Sequence, residues 1–265
     1  MKLFRQNLTR RRLIQTAGGL AALTSAGLLS QTALAQSVQI TKPSRLGAGA
    51  TVGLVTPASN VPENEDLLAA MDLVRSLGFK AKAAPNLRRR KQYLAGSDQQ
   101  RADDLNGMFA DDEVDAIFCV RGGYGSGRLL RDLDYQTIAD NPKILMGYSD
   151  ITAILNAIHV KTGMITYHGP IAGDNFSGYT YEQFQRILIE PRQVTRIAEP
   201  PAFEQKPGVV ERENRLTPIV PGQAEGTLIG GNLSLLADAA GHHPTHAGAG
   251  RQSLNVLFAD HLDLT

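Results

Sequence analysis

Tryptophan is absent from the 265 residues, aromatic side chains make up only 6% of them, and there is a single cysteine, Cys119. One cysteine excludes an internal disulfide. Its place in the apolar run Ala116-Ile-Phe-Cys-Val120, read as a buried strand, points to an inert core thiol rather than a nucleophile. The chain has no H-E-x-x-H pair, no Walker loop and no G-x-G-x-x-G, so the common zinc-protease and nucleotide signatures are missing. It has no long hydrophobic run. The longest, Ala17 to Leu29, is dotted with Gly, Thr and Ser and is too short and too weakly apolar for stable membrane insertion. An excess of one charge is lacking too, with 27 basic residues against 26 acidic.

What is present begins with an export signal. Thr9-Arg10-Arg11-Arg12-Leu13-Ile14, the weak apolar run and Ala33-Leu34-Ala35 have the order of a signal peptide. Cleavage is expected near Ala35, the arginine pair points to the twin-arginine route, and the expected location is periplasmic. Residues 1–35 carry five basic residues (Lys2, Arg5, Arg10, Arg11, Arg12) and no acidic ones, so 22 basic residues face 26 acidic in the remainder, a net of −4. That balance gives no reason to propose nucleic-acid binding. The basic run Arg88-Arg89-Arg90-Lys91 reads as a solvated loop, or as an attractor of an anionic substrate.

From Thr51 the chain alternates apolar runs with helical spacing. Strands are expected at Thr51–Thr56, Phe79–Ala84, Ala116–Val120 and Ile144–Met146. Helices are expected from Pro62 to a Gly78 cap, over Asp98–Phe109, around Leu129–Leu133 and over Ile151–Lys161. This order predicts the α/β class, with a parallel sheet covered by helices on both faces. The expected organisation is an N-terminal α/β domain over 44–175, a connecting segment over 176–221 rich in proline and charge, and a smaller domain over 222–265. In that smaller domain Ala224–Ile229 and Leu254–Phe258 read as strands, and Gly230-Gly-Asn-Leu-Ser-Leu-Leu236 as a turn opening a helix. In parallel sheets ligands bind off the carboxyl ends of the strands. Three suggestive turns fall there: Pro57–Asn60, Arg121–Gly127 and Gly147–Asp150.

Gly147-Tyr-Ser-Asp150 joins a buried strand to an amphipathic helix, where the first N–H groups and the positive helix end face a developing oxyanion. Ser149 there resembles a nucleophile elbow, although Ile151 stands where G-x-S-x-G needs its second glycine. The alternative role for Ser149 is a plain helix cap. Arg121-Gly-Gly-Tyr-Gly-Ser-Gly-Arg128 is either an anion-cradling loop or a tight turn. His168 is a candidate base or a structural hydrogen bonder. Gly241-His242-His243-Pro244-Thr245-His246 looks like a metal cluster, but Pro244 breaks the helix that such a pair needs, so no metal and no cofactor is expected.

Arg121-Gly-Gly-Tyr-Gly125, Gly147-Tyr-Ser-Asp150, His168-Gly-Pro170 and Gly230-Gly-Asn-Leu-Ser-Leu-Leu236, in that order, resemble the LD-carboxypeptidases, murein tetrapeptide carboxypeptidases related to microcin C self-immunity hydrolases. The resemblance implies a flavodoxin-like N-terminal domain, a smaller β-rich C-terminal domain and a Ser-Glu-His triad at their junction. It implies hydrolysis of the L-D bond between a diamino acid and the terminal D-Ala of a peptidoglycan stem peptide. Matched residue by residue, Ser149 is the nucleophile, and the N–H of Asp150 with that of Gly122 or Gly123 forms the oxyanion hole. Arg121 and Tyr124 border the substrate. Asp260 in Val256-Leu-Phe-Ala-Asp-His261 falls at or beside the position of the triad acid. The family's catalytic histidine follows that acid, and His168, His242, His243, His246 and His261 match no such motif. The expectation is therefore a chain truncated at its C-terminus, impaired in activity, with apolar surface that favours association, for example as a homodimer.

Three other readings compete with a periplasmic serine-type LD-carboxypeptidase. They are a microcin C immunity-type hydrolase, a remnant that binds muropeptide without turnover, and a zinc peptidase built on His242–His246.

Overall fold

The computed structural model describes residues 39–193, 195–197, 207–208, 210, 221–223, 226, 228–242 and 256–260. The expected signal peptide, part of the expected connecting segment, and His243, His246 and His261 lie outside them.

Five parallel strands form the main sheet: β1 (Thr51–Val55), β2 (Lys80–Ala83), β3 (Ala116–Cys119), β4 (Ile144–Gly147) and β5 (Tyr167–His168). Their spatial order is β2-β1-β3-β4-β5, the flavodoxin-like order of doubly wound α/β folds. β3 and β4 are buried at every position, which is why both read as uninterrupted apolar runs. β2, with the sequence Lys-Ala-Lys-Ala, is the exposed edge. Register is fixed by pairs such as Gly53 with Ile117 and Ile117 with Leu145. Two-residue β5 pairs Tyr167 with Met146 and His168 with Gly147. It is too short to leave a period-two signal in the sequence.

Helix α1 (Asn64–Ser76) buries Leu67, Ala70 and Val74 at helical spacing and ends at left-handed Gly78 (φ 89°), the expected glycine stop. Helix α2 (Asp98–Ala110) opens with a capping box: the Ser97 hydroxyl accepts from the Gln100 N–H, and the Gln100 side chain accepts from the Ser97 N–H. The helix expected around Leu129–Leu133 is instead a 3₁₀ turn at Ser126–Leu129, followed by a short helix α3 (Tyr135–Asp140). The Asp134 carboxylate accepts from the Thr137 N–H and so starts that helix two residues beyond Leu133. Helix α4 (Thr152–Thr162) follows β4 and buries Ile154, Leu155 and Ile158, while α5 (Gly178–Phe184) sets Phe184 edge-on against Phe79 and Phe118.

Strand β6 (Leu228–Asn232) overlaps the end of the expected run Ala224–Ile229, of which Ala224, Glu225 and Thr227 lie outside the described residues, and takes in Gly230-Gly-Asn, expected as a turn. Helix α6 (Leu233–His242) starts directly after it, with the Asn232 side-chain carbonyl accepting from the Leu235 N–H. The last strand, β7 (Val256–Asp260), is parallel to β6 and places Asp260 opposite Asn232.

Candidate active site

The loops after β1, β3 and β4 meet at the carboxyl end of the sheet, across the β1/β3 switch point where a doubly wound fold leaves its crevice. The Ser59 N–H donates to the Gly122 carbonyl (3.1 Å), and the Tyr124 N–H donates to Ser59 Oγ (3.1 Å). A side chain at Gly123, where φ is 103°, would collide with Ser59, so only glycine allows this approach. The Arg121 guanidinium donates to the Asn60 carbonyl (2.8 Å).

Ser149 is half-buried and has a φ of 60°, the left-handed conformation. For a residue with a Cβ this costs about 1–2 kcal/mol, and such strain collects at functional sites. It arises where extended Tyr148 (φ −142°) turns into the 3₁₀ turn Ser149–Ile151 that starts α4. Gly122 packs directly on it: a Cβ at Gly122 would stand 3.1 Å from Ser149 Cβ and 3.5 Å from the Asp150 nitrogen. The Asp150 N–H is among the first of its helix and has no acceptor one turn behind it within that helix. Among the described residues no hydrogen bond engages the N–H of Gly122 or Gly123. Ser149 and Gly122 are thus packed together at the start of the turn that carries the Asp150 N–H. Gly147 precedes it because a Cβ there would meet Cys119 Cβ at 3.0 Å and Ile151 Cγ2 at 3.1 Å. Ile151, which replaces the second glycine of G-x-S-x-G, is fully buried and turns into the core.

Three residues that the sequence did not single out by side chain join these loops. The Asp150 carboxylate accepts from the Ser126 N–H (2.8 Å), while the Ser126 hydroxyl donates to the Asp150 backbone carbonyl. Arg101 donates to the carbonyls of Pro57 and Gly125 and pairs with Asp98, which also binds Arg128. Burial raises the Asp150 carboxyl above its ordinary value, against the hydrogen bonds from Ser126 and the attraction of Arg101.

Of the other expected residues, Tyr124 is three-quarters exposed on its loop, and His168 is exposed with its ring 6.4 Å from that of Tyr148, edge to face. Burial drives the Cys119 thiol far upward, consistent with a core role. The Gly-Gly-Asn stretch docks on α4: the Asn232 N–H donates to Thr152 Oγ1 (3.0 Å), and Asn156 donates to the Gly230 carbonyl (3.1 Å). Asp260 lies on β7, in register with that stretch.

Residues 52–169, which hold all three loops, match the family model of the LD-carboxypeptidase N-terminal domain. A Bacillus subtilis protein named "Probable murein peptide carboxypeptidase" is 39% identical over 201 residues, covering 76% of this chain and 60% of the relative. The murein tetrapeptide carboxypeptidase of Pseudomonas aeruginosa is 34% identical over 193 residues, covering 72% and 60%. This chain belongs to the LD-carboxypeptidase family.

The crystal structure of a MccF-like protein from Bacillus anthracis superposes with a TM-score of 0.64 at 30% identity, over 75% of this chain and 64% of that one. The LD-carboxypeptidase chain described here therefore spans about three fifths of the length of the relatives it matches. Its matched N-terminal domain contains Ser149, Asp150, Gly122, Gly123, Arg121 and Tyr124. Asp260 falls outside that match.

Proposed function

We propose that Ser149 is the nucleophile of a serine-type LD-carboxypeptidase that releases the terminal D-Ala from peptidoglycan tetrapeptides. The left-handed Ser149, packed on Gly122 at the head of α4, is the observation that carries this reading. In it, Ser149 Oγ attacks the carbonyl carbon of the bond to D-Ala, and the proton passes to a general base. The carbonyl oxygen, now negative, receives N–H groups from Asp150 and from Gly122 or Gly123. Collapse expels the D-Ala amine with a proton, and water then cleaves the acyl-enzyme. Arg121, held at the site's edge, suits the terminal carboxylate of the peptide, and Tyr124 lies against its length. Asp260 belongs to the same proposal as the acid that orients the base. So does export to the periplasm through the signal at residues 1–35.

The test is release of D-Ala from a purified muropeptide tetrapeptide by the wild-type chain and by Ser149→Ala. Release that is abolished by the substitution and unchanged in EDTA supports the reading. Equal background from both proteins overturns it, and inhibition by the chelator transfers the chemistry to a metal.

A further inference from the structure

We infer that the peptide unit joining Gly125 to Ser126 is a clamp that sets the spacing of the oxyanion donors, with Arg101, Ser126 and Asp150 as positioning residues. The inference rests on Ser149 being the nucleophile. The Gly125 carbonyl accepts from Arg101 Nη1 (3.0 Å), and the Ser126 N–H on the other side of the same peptide unit donates to the Asp150 carboxylate (2.8 Å). One peptide group is therefore held between a buried cation and a buried anion. The Ser126 hydroxyl closes a second bond to the Asp150 backbone carbonyl. All three side chains are out of solvent: Ser126 is 0% exposed, Arg101 1% and Asp150 6%.

Stability alone does not call for this arrangement. Buried ions cost desolvation free energy that their mutual attraction seldom more than offsets, and Arg101 Nε is buried with no acceptor. The placement has a use, however. Between Arg121 and Gly125 the loop has three glycines and an exposed tyrosine, and Gly123 and Gly125 are left-handed (φ 103° and 104°), so little packing fixes it from within. The clamp ties its far end to Asp150, the residue whose own N–H is the second oxyanion donor. Arg101 also holds the Pro57 carbonyl and so brings in the loop after β1. The two donors on separate loops are thereby joined through one residue. Donors of this kind act only when held close to the position of the developing charge.

The experiment compares the wild-type chain with Ser126→Ala and Asp150→Asn, both close in size to the native residues. Three quantities are read: kcat and KM for tetrapeptide hydrolysis, Tm, and amide hydrogen exchange by NMR. For Ser126→Ala the clamp predicts a kcat lowered about tenfold or more with KM within about twofold, since a transition-state interaction is being lost. Asp150→Asn lowers kcat as well, and the double variant is no slower than the slower single one because the residues act as a unit. The Tyr124 amide, bonded across to Ser59, exchanges faster in Ser126→Ala, while the amides of β1 and β3 keep their wild-type rates.

Unchanged kcat with a lowered Tm makes the cluster merely structural and overturns the inference. A raised KM at unchanged kcat overturns it too. If the wild-type chain releases no D-Ala, the nucleophile assignment fails instead, and the exchange rate at Tyr124 still decides whether the clamp holds the loop.

Discussion

The left-handed backbone of Ser149 separates what this position does for folding from what it does for chemistry. Replacing a strained residue by glycine relieves the φ > 0 penalty, at some cost in unfolded-state entropy. Ser149→Gly is therefore expected to stabilise the chain by about 0.5–1 kcal/mol while abolishing hydrolysis. A urea titration measures the first effect and D-Ala release the second; a destabilised variant contradicts the account of strain. Cys119 supplies a second test at this scale. Fully buried, with its thiol pushed upward, it should ignore a thiol reagent in the native chain and react only on unfolding. Fast labelling of the folded protein would contradict its place in the core. The turn that holds Ser149 was legible in the sequence because an apolar strand and an amphipathic helix flank it. The loop-joining roles of Arg101, Ser126 and Asp150 were not, because the bonds from Arg101 to Pro57 and Gly125 and from Ser126 to Asp150 span 24 or more residues and no local period records them.

Among the elements, the fit between β6 and α4 gives the sharpest prediction. Gly231 has a φ of 136°, and a Cβ there would run into the Thr152 side chain, the acceptor of the Asn232 N–H. Gly231→Ala is expected to cost about 2 kcal/mol through strain and overpacking, read as a lowered urea midpoint. A variant as stable as the wild type would mean that the docking of β6 on α4 is loose. β1, β3 and β4 could be read from apolar runs, and α1 from its spacing and its Gly78 stop. The runs failed where tertiary contacts decide the backbone. Gly230-Gly-Asn has the composition of a turn, yet it is extended because β7 pairs with it residue for residue. Leu129–Leu133 has helical spacing, yet the cap at Asp134 starts the helix later.

For the molecule as a whole, the loops around the crevice are fastened by charge, and pH should reveal it. Burial alone would raise the Asp98 carboxyl; hydrogen bonds from Arg128 and Arg101 outweigh it and hold the group below its ordinary value. The stability that follows from a lowered carboxylate is present above the unfolded-state value near 4 and is lost as pH falls through the lowered one. Asp98→Asn should therefore flatten the fall of Tm below about pH 4 and lower Tm at neutral pH; parallel curves for both proteins would contradict this. Asp104 and Asp150 work with the opposite sign, since burial raises both. The alternation of strands and helices foretold a parallel sheet, and the flavodoxin-like resemblance implied the strand order that opens the crevice between β1 and β3. At every scale the chemistry depends on Ser149 being the group that attacks. Mass spectrometry after treatment with a fluorophosphonate tests it most directly. One adduct, on the peptide that contains Ser149 and absent from Ser149→Ala, is the predicted result. An adduct on another residue, or equal labelling of both proteins, would contradict it.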